Sequence, residues 1–347
     1  MRYKLLGRSG LRVSELALGT MTFGEAWGFG ENKDVCRKVW DLYVSKGGNF
    51  IDTANKYTEG QSEQMVGEFM EGDRERFVVA TKYTLSTRTD DPNAHGNHRK
   101  NMVQALEASL RRLRTEYVDL FWMHAWDGTT PVDEVMRGLD DLVRAGKVLY
   151  VGVSDTPAWV VAQANTIADL RGWSRFIGLQ VEYSLIERTV ERELIPMALA
   201  LGLGVLAWAP LGAGVLTGKY NAPASKLHRL DSKRAAVGGA RVNAETIAVA
   251  VEVKKIADEL GKTPAQVALN WLRQRHALVI PIVGARKAPQ LADSLGALDF
   301  TIPDEQRARL DRVSQVSMGF PHDFLGQDFI RAAIHGDTYG LLDFRKH

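Results

Sequence analysis

The chain has a single cysteine, little net charge and no long apolar run. Its 347 residues carry 44 Lys and Arg against 42 Asp and Glu, a formal net charge of +2. One cysteine, Cys36, excludes an intrachain disulfide and fits a reducing compartment. A nearly neutral chain gives no reason to expect nucleic acid or an anionic membrane as partner. Because no stretch resembles a signal peptide or a membrane span, we predict a cytoplasmic location.

Linkers rich in proline or serine are also missing, so we expect one domain over residues 1–347. Apolar residues make up 45% of the chain, enough for a sizeable core. The least core-like stretch is residues 221–243, which hold five Lys or Arg and one acid. A polar loop of that length is typical of a functional or mobile insertion.

Short apolar runs alternate with helical patterns from one end of the chain to the other. The runs are rich in Val, Ile, Leu and Phe, as strands buried on both faces are. They predict strands at 16–19, 49–52, 77–82, 118–124, 149–154, 177–180, 205–208 and 278–283.

Helix signals lie between these runs. The spacing of Val35, Val39 and Leu42 predicts an amphipathic helix on which Cys36 is a buried, inert thiol. Thr263, Pro264 and Gln266 predict a capped helix start, and Thr130 with Pro131 predict another. The last patterned helix covers about 304–316, which leaves an aromatic-rich tail over 317–347.

Eight strands that alternate with helices form either a (β/α)8 barrel or a doubly wound sheet. The dinucleotide fingerprint of a doubly wound sheet fails, because Lys33 stands where Gly28 and Gly30 would need a third glycine. A P-loop over 212–219 fails too, because Tyr220 replaces the Ser or Thr that it requires. These mismatches favour the barrel, whose active site lies at the C-terminal ends of the strands.

Polar or aromatic residues stand where these strands end. Asp52, Lys82 and His124 end the second, third and fourth strands, and Ser154, Gln180 and Trp208 end the next three. Taken one at a time, Asp52 could be a helix cap, Lys82 a surface residue and His124 a hydrogen-bonded core histidine. Three titratable groups on adjacent strands of one barrel instead predict an active site.

Tyr57 follows Asp52 closely enough for its phenol to fold back over the barrel mouth. A nearby lysine ammonium favours the phenolate and lowers the phenol pKa, and a carboxylate keeps that lysine charged. Tyr57, Lys82 and Asp52 therefore predict a proton-donating relay. A neutral His124 would orient the substrate oxygen.

With these residues in place, the chain resembles the aldo-keto reductase family over essentially its whole length. The matching segments, in chain order, are 6–14, 19–21, 50–54 with Tyr57 and Gly60, 81–82, 118–124, 146–148, 152–154, 180–184, 209–212 with 218–219, and 284–286. The resemblance implies a (β/α)8 barrel that reduces aldehyde or ketone carbonyls with NADPH. It also implies that Tyr57 is the general acid, Lys82 and Asp52 its tuning pair, and His124 the orienting group.

The resemblance further implies a cofactor site and no metal site. The predicted cofactor residues are Gly19, Thr20, Met21, Asp52, Ser154, Gln180, Trp208, Ala209, Pro210, Leu211, Gly212, Gly214, Lys219, Gly284, Arg286, Gln290, Asp293 and Ser294. Trp208 would stack on the nicotinamide, and Arg286 would meet the 2′-phosphate. The family usually has Asn where this chain has Asp155, which cannot donate to the carboxamide oxygen.

Trp27 and Trp126, with Tyr57 and His124, are the predicted substrate contacts and favour apolar or aromatic carbonyl compounds. We expect the tail to line the substrate site, with the outer helices or a homo-oligomer contact as its alternatives. Two other functions stay open. One is a regulatory subunit like the β subunits of voltage-gated potassium channels, which share the fold, and the other is a barrel enzyme for a phosphorylated substrate.

Overall fold

Eight parallel strands close into a barrel, as the alternating pattern predicts. The computed structural model describes residues 1–220, 242–275 and 279–343. The barrel strands are β3 (Ala17–Gly19), β4 (Phe50–Asp52), β5 (Val78–Tyr83), β6 (Val118–Met123), β7 (Val148–Ser154), β8 (Phe176–Glu182), β9 (Gly204–Trp208) and β10 (Val279–Gly284). β10 pairs with both β3 and β9, which closes the sheet. The prediction of a (β/α)8 barrel is confirmed. The predicted start of the last strand, Leu278, lies outside the described residues.

Helices cover the outside of the barrel, except for the last two named here, which lie in the tail. They are α1 (Lys33–Ser45), α2 (Gln61–Phe69), α3 (Arg99–Leu113), α4 (Val132–Arg144), α5 (Ala158–Arg171), α6 (Leu194–Leu201), α7 (Ala244–Leu260), α8 (Pro264–Arg273), α9 (Ala288–Leu295), α10 (Asp304–Val313), α11 (His322–Leu325) and α12 (Asp328–His335). Within the described part of the chain, no helix is both long and apolar enough to cross a membrane.

The helix starts test the capping predictions. Thr263 and Gln266 form the predicted capping box, with Pro264 as the first residue of α8. The prediction for α4 is wrong, because Pro131 itself is the cap residue and no side chain caps that helix. Thr130 instead donates its hydroxyl proton to Asp127, at 2.7 Å.

Cys36 is buried on α1, as predicted, and burial raises the pKa of its thiol to about 11. Such a thiol stays protonated and unreactive at neutral pH. The predicted insertion over 221–243 lies, apart from its last two residues, outside the described residues. Of those two, Asn243 caps the start of α7.

A short N-terminal hairpin, which the pattern does not predict, covers the end of the barrel opposite the strand C-termini. Its strands are β1 (Tyr3–Leu5) and β2 (Arg12–Ser14), which pair antiparallel. Leu6 follows β1, is fully buried and packs with the side chains inside the barrel. Strands of three residues around a Gly-Arg-Ser-Gly turn carry too few apolar positions for the alternation to be recognised.

The tail leaves the barrel near the start of α6. Arg192 donates to the Ser317 carbonyl at 2.6 Å, and His322 pairs with Glu193 at 3.0 Å. Of the described tail aromatics, Phe320 is 85% exposed and Phe329 63%, so the described part of this chain does not cover these two rings, and a contact with another copy stays a prediction. They contact one another through Phe324 instead. A role of the tail at the substrate site stays a prediction, and Phe344 lies outside the described residues.

The barrel interior is filled by side chains. Trp122, fully buried on β6, lies against glycines of the next two strands along the chain. A Cβ on Gly152 of β7 would come within 2.4 Å of the indole, and one on Gly178 of β8 within 2.9 Å. These two glycines therefore make the space that the indole occupies.

We expect Gly152→Ala to lower the free energy of unfolding by about 1–3 kcal/mol, because the added methyl overpacks a filled core. Gly10→Ala is the matched control, since a Cβ there meets nothing within 4 Å. Urea unfolding followed by circular dichroism measures both variants. A Gly152→Ala midpoint equal to that of Gly10→Ala would contradict this packing account.

Candidate active site

The buried ammonium of Lys82 lies at the centre of the barrel mouth. Its Nζ donates to Asp52 Oδ2 at 2.6 Å, to the Thr53 carbonyl at 2.9 Å and to the Tyr57 hydroxyl at 3.2 Å. Lys82 is 0% exposed and Asp52 is 2% exposed, so each charge depends on the other. The structure therefore brings together the three residues of the predicted relay.

Asp52 has a second partner that the sequence does not indicate. Gln180 Nε2 donates to Asp52 Oδ1 at 2.9 Å, across the barrel from β8 to β4. Both carboxylate oxygens are thus engaged, which fixes the carboxylate beneath Lys82. The predicted contact of Gln180 with the cofactor stays a prediction, and its amide nitrogen already has a protein acceptor.

The backbone after Tyr57 takes a strained turn that sets the position of the phenol. Thr58 has φ +47° and Glu59 has φ +56°, and Gly60 follows with φ +89°. Left-handed backbone is costly for a β-branched residue such as Thr. The turn is held in place because the Thr58 hydroxyl donates to the Phe23 carbonyl at 2.6 Å and accepts from the Ser62 amide at 3.1 Å.

The electrostatics of the site keep the phenol protonated. Burial raises the pKa of Tyr57 and outweighs the Lys82 charge, which acts in the expected, lowering direction. For Lys82, burial lowers the pKa, but Asp52 and Tyr57 more than compensate, so it lies above its ordinary value. At neutral pH the site therefore holds a neutral phenol beside an ammonium, a pair suited to donating a proton.

His124 lies edge-on to Tyr57, with ring centroids 5.8 Å apart. Burial first, and the Lys82 charge second, hold the pKa of His124 well below its ordinary value. The imidazole is therefore neutral at neutral pH. Its buried Nδ1 has no hydrogen-bond partner among the residues that the structure describes.

An indole ring lies against the phenol, and a second stands elsewhere at the mouth. Trp27 stands edge-on to Tyr57 with ring centroids 6.2 Å apart, and its indole donates to Glu59 at 2.9 Å. Trp126 is half-buried, and its backbone amide donates to the Asp155 carbonyl at 3.3 Å. Both predicted substrate residues thus lie at the mouth, Trp27 directly on the phenol.

Asp155 and Trp208 form a pair that the sequence does not reveal. The Trp208 indole donates to Asp155 Oδ1 at 3.0 Å, linking the ends of β7 and β9. Ser154, on β7 beside Gln180 of β8, is buried, and its hydroxyl makes no hydrogen bond within the described ranges. Burial raises the pKa of Asp155, while Trp208, Lys82 and the nearby Ser154 favour its charged form.

The loop after β9 contains the predicted phosphate cradle. Ala209 at φ +48° and Gly212 at φ +54° turn the chain sharply after Trp208, around Pro210. The amides of Gly212 and Gly214 donate to the Ala209 and Leu211 carbonyls, so those two N–H groups are already occupied. A Cβ on Gly214 would meet Lys219 Nζ at 2.8 Å, which places this ammonium against the loop.

The segment after β10 contains the predicted adenosine and 2′-phosphate contacts. Arg286 is half-buried, and its Nε is buried without a partner among the described residues. Gln290 Oε1 accepts from the Arg286 amide at 3.0 Å and so shapes this turn. The Asp293 carboxylate accepts from Thr263 and Gln266 on α8, and Ser294 is buried. Contacts of these last three with a cofactor stay predictions.

The end of β3 completes the mouth. Gly19 ends β3 beside Asp52 and Gly284, its two neighbours in the sheet. The Thr20 hydroxyl lies 3.1 Å from the Asp52 carbonyl and 2.8 Å from the Ser62 hydroxyl, and Met21 is 39% exposed. A Cβ on Gly284 would meet only the Gly19 oxygen, at 3.9 Å, so the space beside it is open.

These residues fit an extended anionic cofactor with a nicotinamide ring. A ring at the mouth would find the unpartnered Ser154 hydroxyl and the Trp208 indole, and phosphates would find Lys219 and Arg286. The described residues contain no group of three His, Cys, Asp or Glu that could hold a metal ion. The arrangement combines a proton donor with room for a hydride carrier.

Comparisons with known proteins agree with this geometry. Residues 15–315 match the model of the aldo/keto reductase family. The chain is 39% identical over 340 residues to an aryl-alcohol dehydrogenase [NADP(+)] of Phanerodontia chrysosporium, covering 91% of this chain and 86% of that protein. It is 37% identical over 336 residues to norsolorinic acid reductase B of Dothistroma septosporum, covering 94% and 84%. The protein therefore belongs to the aldo/keto reductase family, and it is an oxidoreductase.

Proposed function

We propose that this protein reduces aryl aldehydes and ketones with NADPH, reversibly, with Tyr57 as the general acid. The observation that carries the proposal is the hydrogen bond from Lys82 Nζ to the Tyr57 hydroxyl, at the open mouth beside a neutral His124. The aromatic substrate class is supported by the Trp27 ring against Tyr57. The names of the relatives, an aryl-alcohol dehydrogenase for NADP(+) and a norsolorinic acid reductase, agree with it.

The chain's own groups perform the proton half of the reaction. The substrate carbonyl oxygen accepts hydrogen bonds from the Tyr57 hydroxyl and the neutral His124 ring, which orient and polarise it. The bound nicotinamide supplies the hydride. As negative charge develops on the substrate oxygen, Tyr57 gives up its proton to it, and the adjacent Lys82 ammonium stabilises the phenolate that remains. Asp52, fixed by Gln180, keeps the ammonium in place.

Cofactor binding is assigned to the residues around the mouth. Ser154, Gln180 and Trp208 would hold the nicotinamide end. Lys219 and the loop over 209–214 would hold the pyrophosphate, and Arg286 the 2′-phosphate, through the planar fork of its guanidinium. The Arg286 Nε, buried and unpartnered within the described residues, supports this last assignment.

Tyr57→Phe should lower the turnover number for benzaldehyde reduction about 100-fold or more, because the only change is loss of the donated proton. The Kd of NADPH should stay within about twofold, since the ring and its packing remain. Tyr150→Phe is the matched control: Tyr150 lies near the start of β7, at the opposite end of the barrel. Half of the wild-type turnover in Tyr57→Phe would remove Tyr57 from the role of acid.

The wild type should bind NADPH more tightly than NADH, and Arg286→Ala should reduce that preference about 10- to 100-fold. A charge-assisted contact to phosphate contributes about 1.5–3 kcal/mol. Fluorescence titration of both cofactors against wild type, Arg286→Ala and Lys287→Ala measures the preference and separates the two neighbours. Equal Kd values for NADPH and NADH in the wild type would refute the phosphate assignment.

Trp27→Ala should raise KM for substituted benzaldehydes about tenfold, with little change for a short aliphatic aldehyde. The indole face supplies apolar contact that only an aromatic substrate can use. Trp27→Phe, which keeps a ring but loses the bond to Glu59, should stay near the wild type. A uniform rise in KM over the whole panel would show that Trp27 supports the Tyr57 turn rather than the aromatic substrate.

A further inference from the structure

The Asp155 carboxylate is held firmly at the barrel mouth. Its Oδ1 accepts the Trp208 indole proton at 3.0 Å. Its backbone amide donates to the Gln180 carbonyl at 3.2 Å, and its own carbonyl accepts from the Trp126 amide at 3.3 Å. The residue adopts φ +42°, a left-handed conformation that Asp and Asn tolerate better than most side chains. Three neighbouring elements thus fix where this negative charge stands.

The charge stands beside the reaction centre. Asp155 follows Ser154 at the end of β7, and its amide donates to the carbonyl of Gln180, whose side chain holds Asp52 beside Lys82. Hydride transfer needs the donor carbon about 3–3.5 Å from a carbonyl carbon whose oxygen is on Tyr57. On the proposed function, the nicotinamide therefore lies between Tyr57 and Trp208, next to the carboxylate that Trp208 holds.

The other charges near the ring cancel. Lys82 and Asp52 form a directly hydrogen-bonded pair, and His124 is neutral. Among the described residues, the groups next to the Asp155 carboxylate that favour its charged form include the Trp208 indole and the Ser154 hydroxyl, both of which are neutral. The oxidised nicotinamide ring carries a positive charge and the reduced ring carries none, so an uncompensated carboxylate distinguishes the two.

We propose that Asp155 is a specificity-determining residue for the redox state of the cofactor, binding NADP⁺ more tightly relative to NADPH than a neutral residue at that place would. The inference rests on the proposed use of a nicotinamide cofactor. By linkage, a site that favours NADP⁺ over NADPH makes the bound NADPH a stronger hydride donor. Asp155 thereby shifts the equilibrium on the enzyme toward carbonyl reduction, while the equilibrium in solution is unchanged.

Asp155→Asn separates charge from geometry. The amide oxygen still accepts the Trp208 proton, and Asn tolerates the left-handed backbone as well as Asp does. The ratio of the NADPH Kd to the NADP⁺ Kd, measured by fluorescence titration at pH 8, should fall about tenfold in this variant. Glu116→Gln, which removes an exposed carboxylate before β6 at the opposite end of the barrel, should leave the ratio unchanged.

Trp208→Phe keeps the carboxylate but removes the donor that holds it. We expect this variant to bind both NADPH and NADP⁺ more weakly than the wild type does. Its ratio of the NADPH Kd to the NADP⁺ Kd should stay closer to that of the wild type than to that of Asp155→Asn. Equal changes in both Kd values for Asp155→Asn, or none, would overturn the charge assignment and leave Asp155 as a support for Trp208. Failure of the wild type to bind either form would overturn the proposed function instead.

Discussion

The site depends on one buried cation. Lys82 is completely removed from solvent, and an ammonium there is tolerable only because Asp52, the Thr53 carbonyl and the Tyr57 hydroxyl surround it. Removing one member of such a pair usually costs about 3–5 kcal/mol, because the other charge is then buried alone. The closed barrel supplies these partners from adjacent strands, and Gln180 reaches across the barrel to hold Asp52. The same hydrogen bonds therefore stabilise the buried charge of Lys82 and hold its ammonium beside the Tyr57 hydroxyl.

Much of the architecture follows from the sequence. Eight buried strands produce eight apolar runs, and because parallel strands end at one mouth, Asp52, Lys82 and His124 can be placed together without coordinates. Tyr57 is predictable from its distance to Asp52. The capped start of α8 follows from Thr263, Pro264 and Gln266, whose side chains make local bonds.

Other features depend on tertiary contacts that no local pattern encodes. The bond from Gln180 to Asp52 joins residues 128 positions apart, and that from Trp208 to Asp155 joins residues 53 apart. The net direction of the Tyr57 pKa shift is equally non-local, because burial by the whole mouth outweighs the single lysine that the sequence points to. The tail aromatics show the limit of composition, since an apolar content alone does not say that the rings are covered.

Buried side chains close the end of the barrel opposite the mouth. Leu6 of the N-terminal hairpin and the Trp122 indole fill the end and the middle of the barrel, so within the described structure the mouth is the way in. On the proposed function, cofactor and substrate would therefore enter and leave through this one opening, because the side chains of Leu6 and Trp122 close the other end.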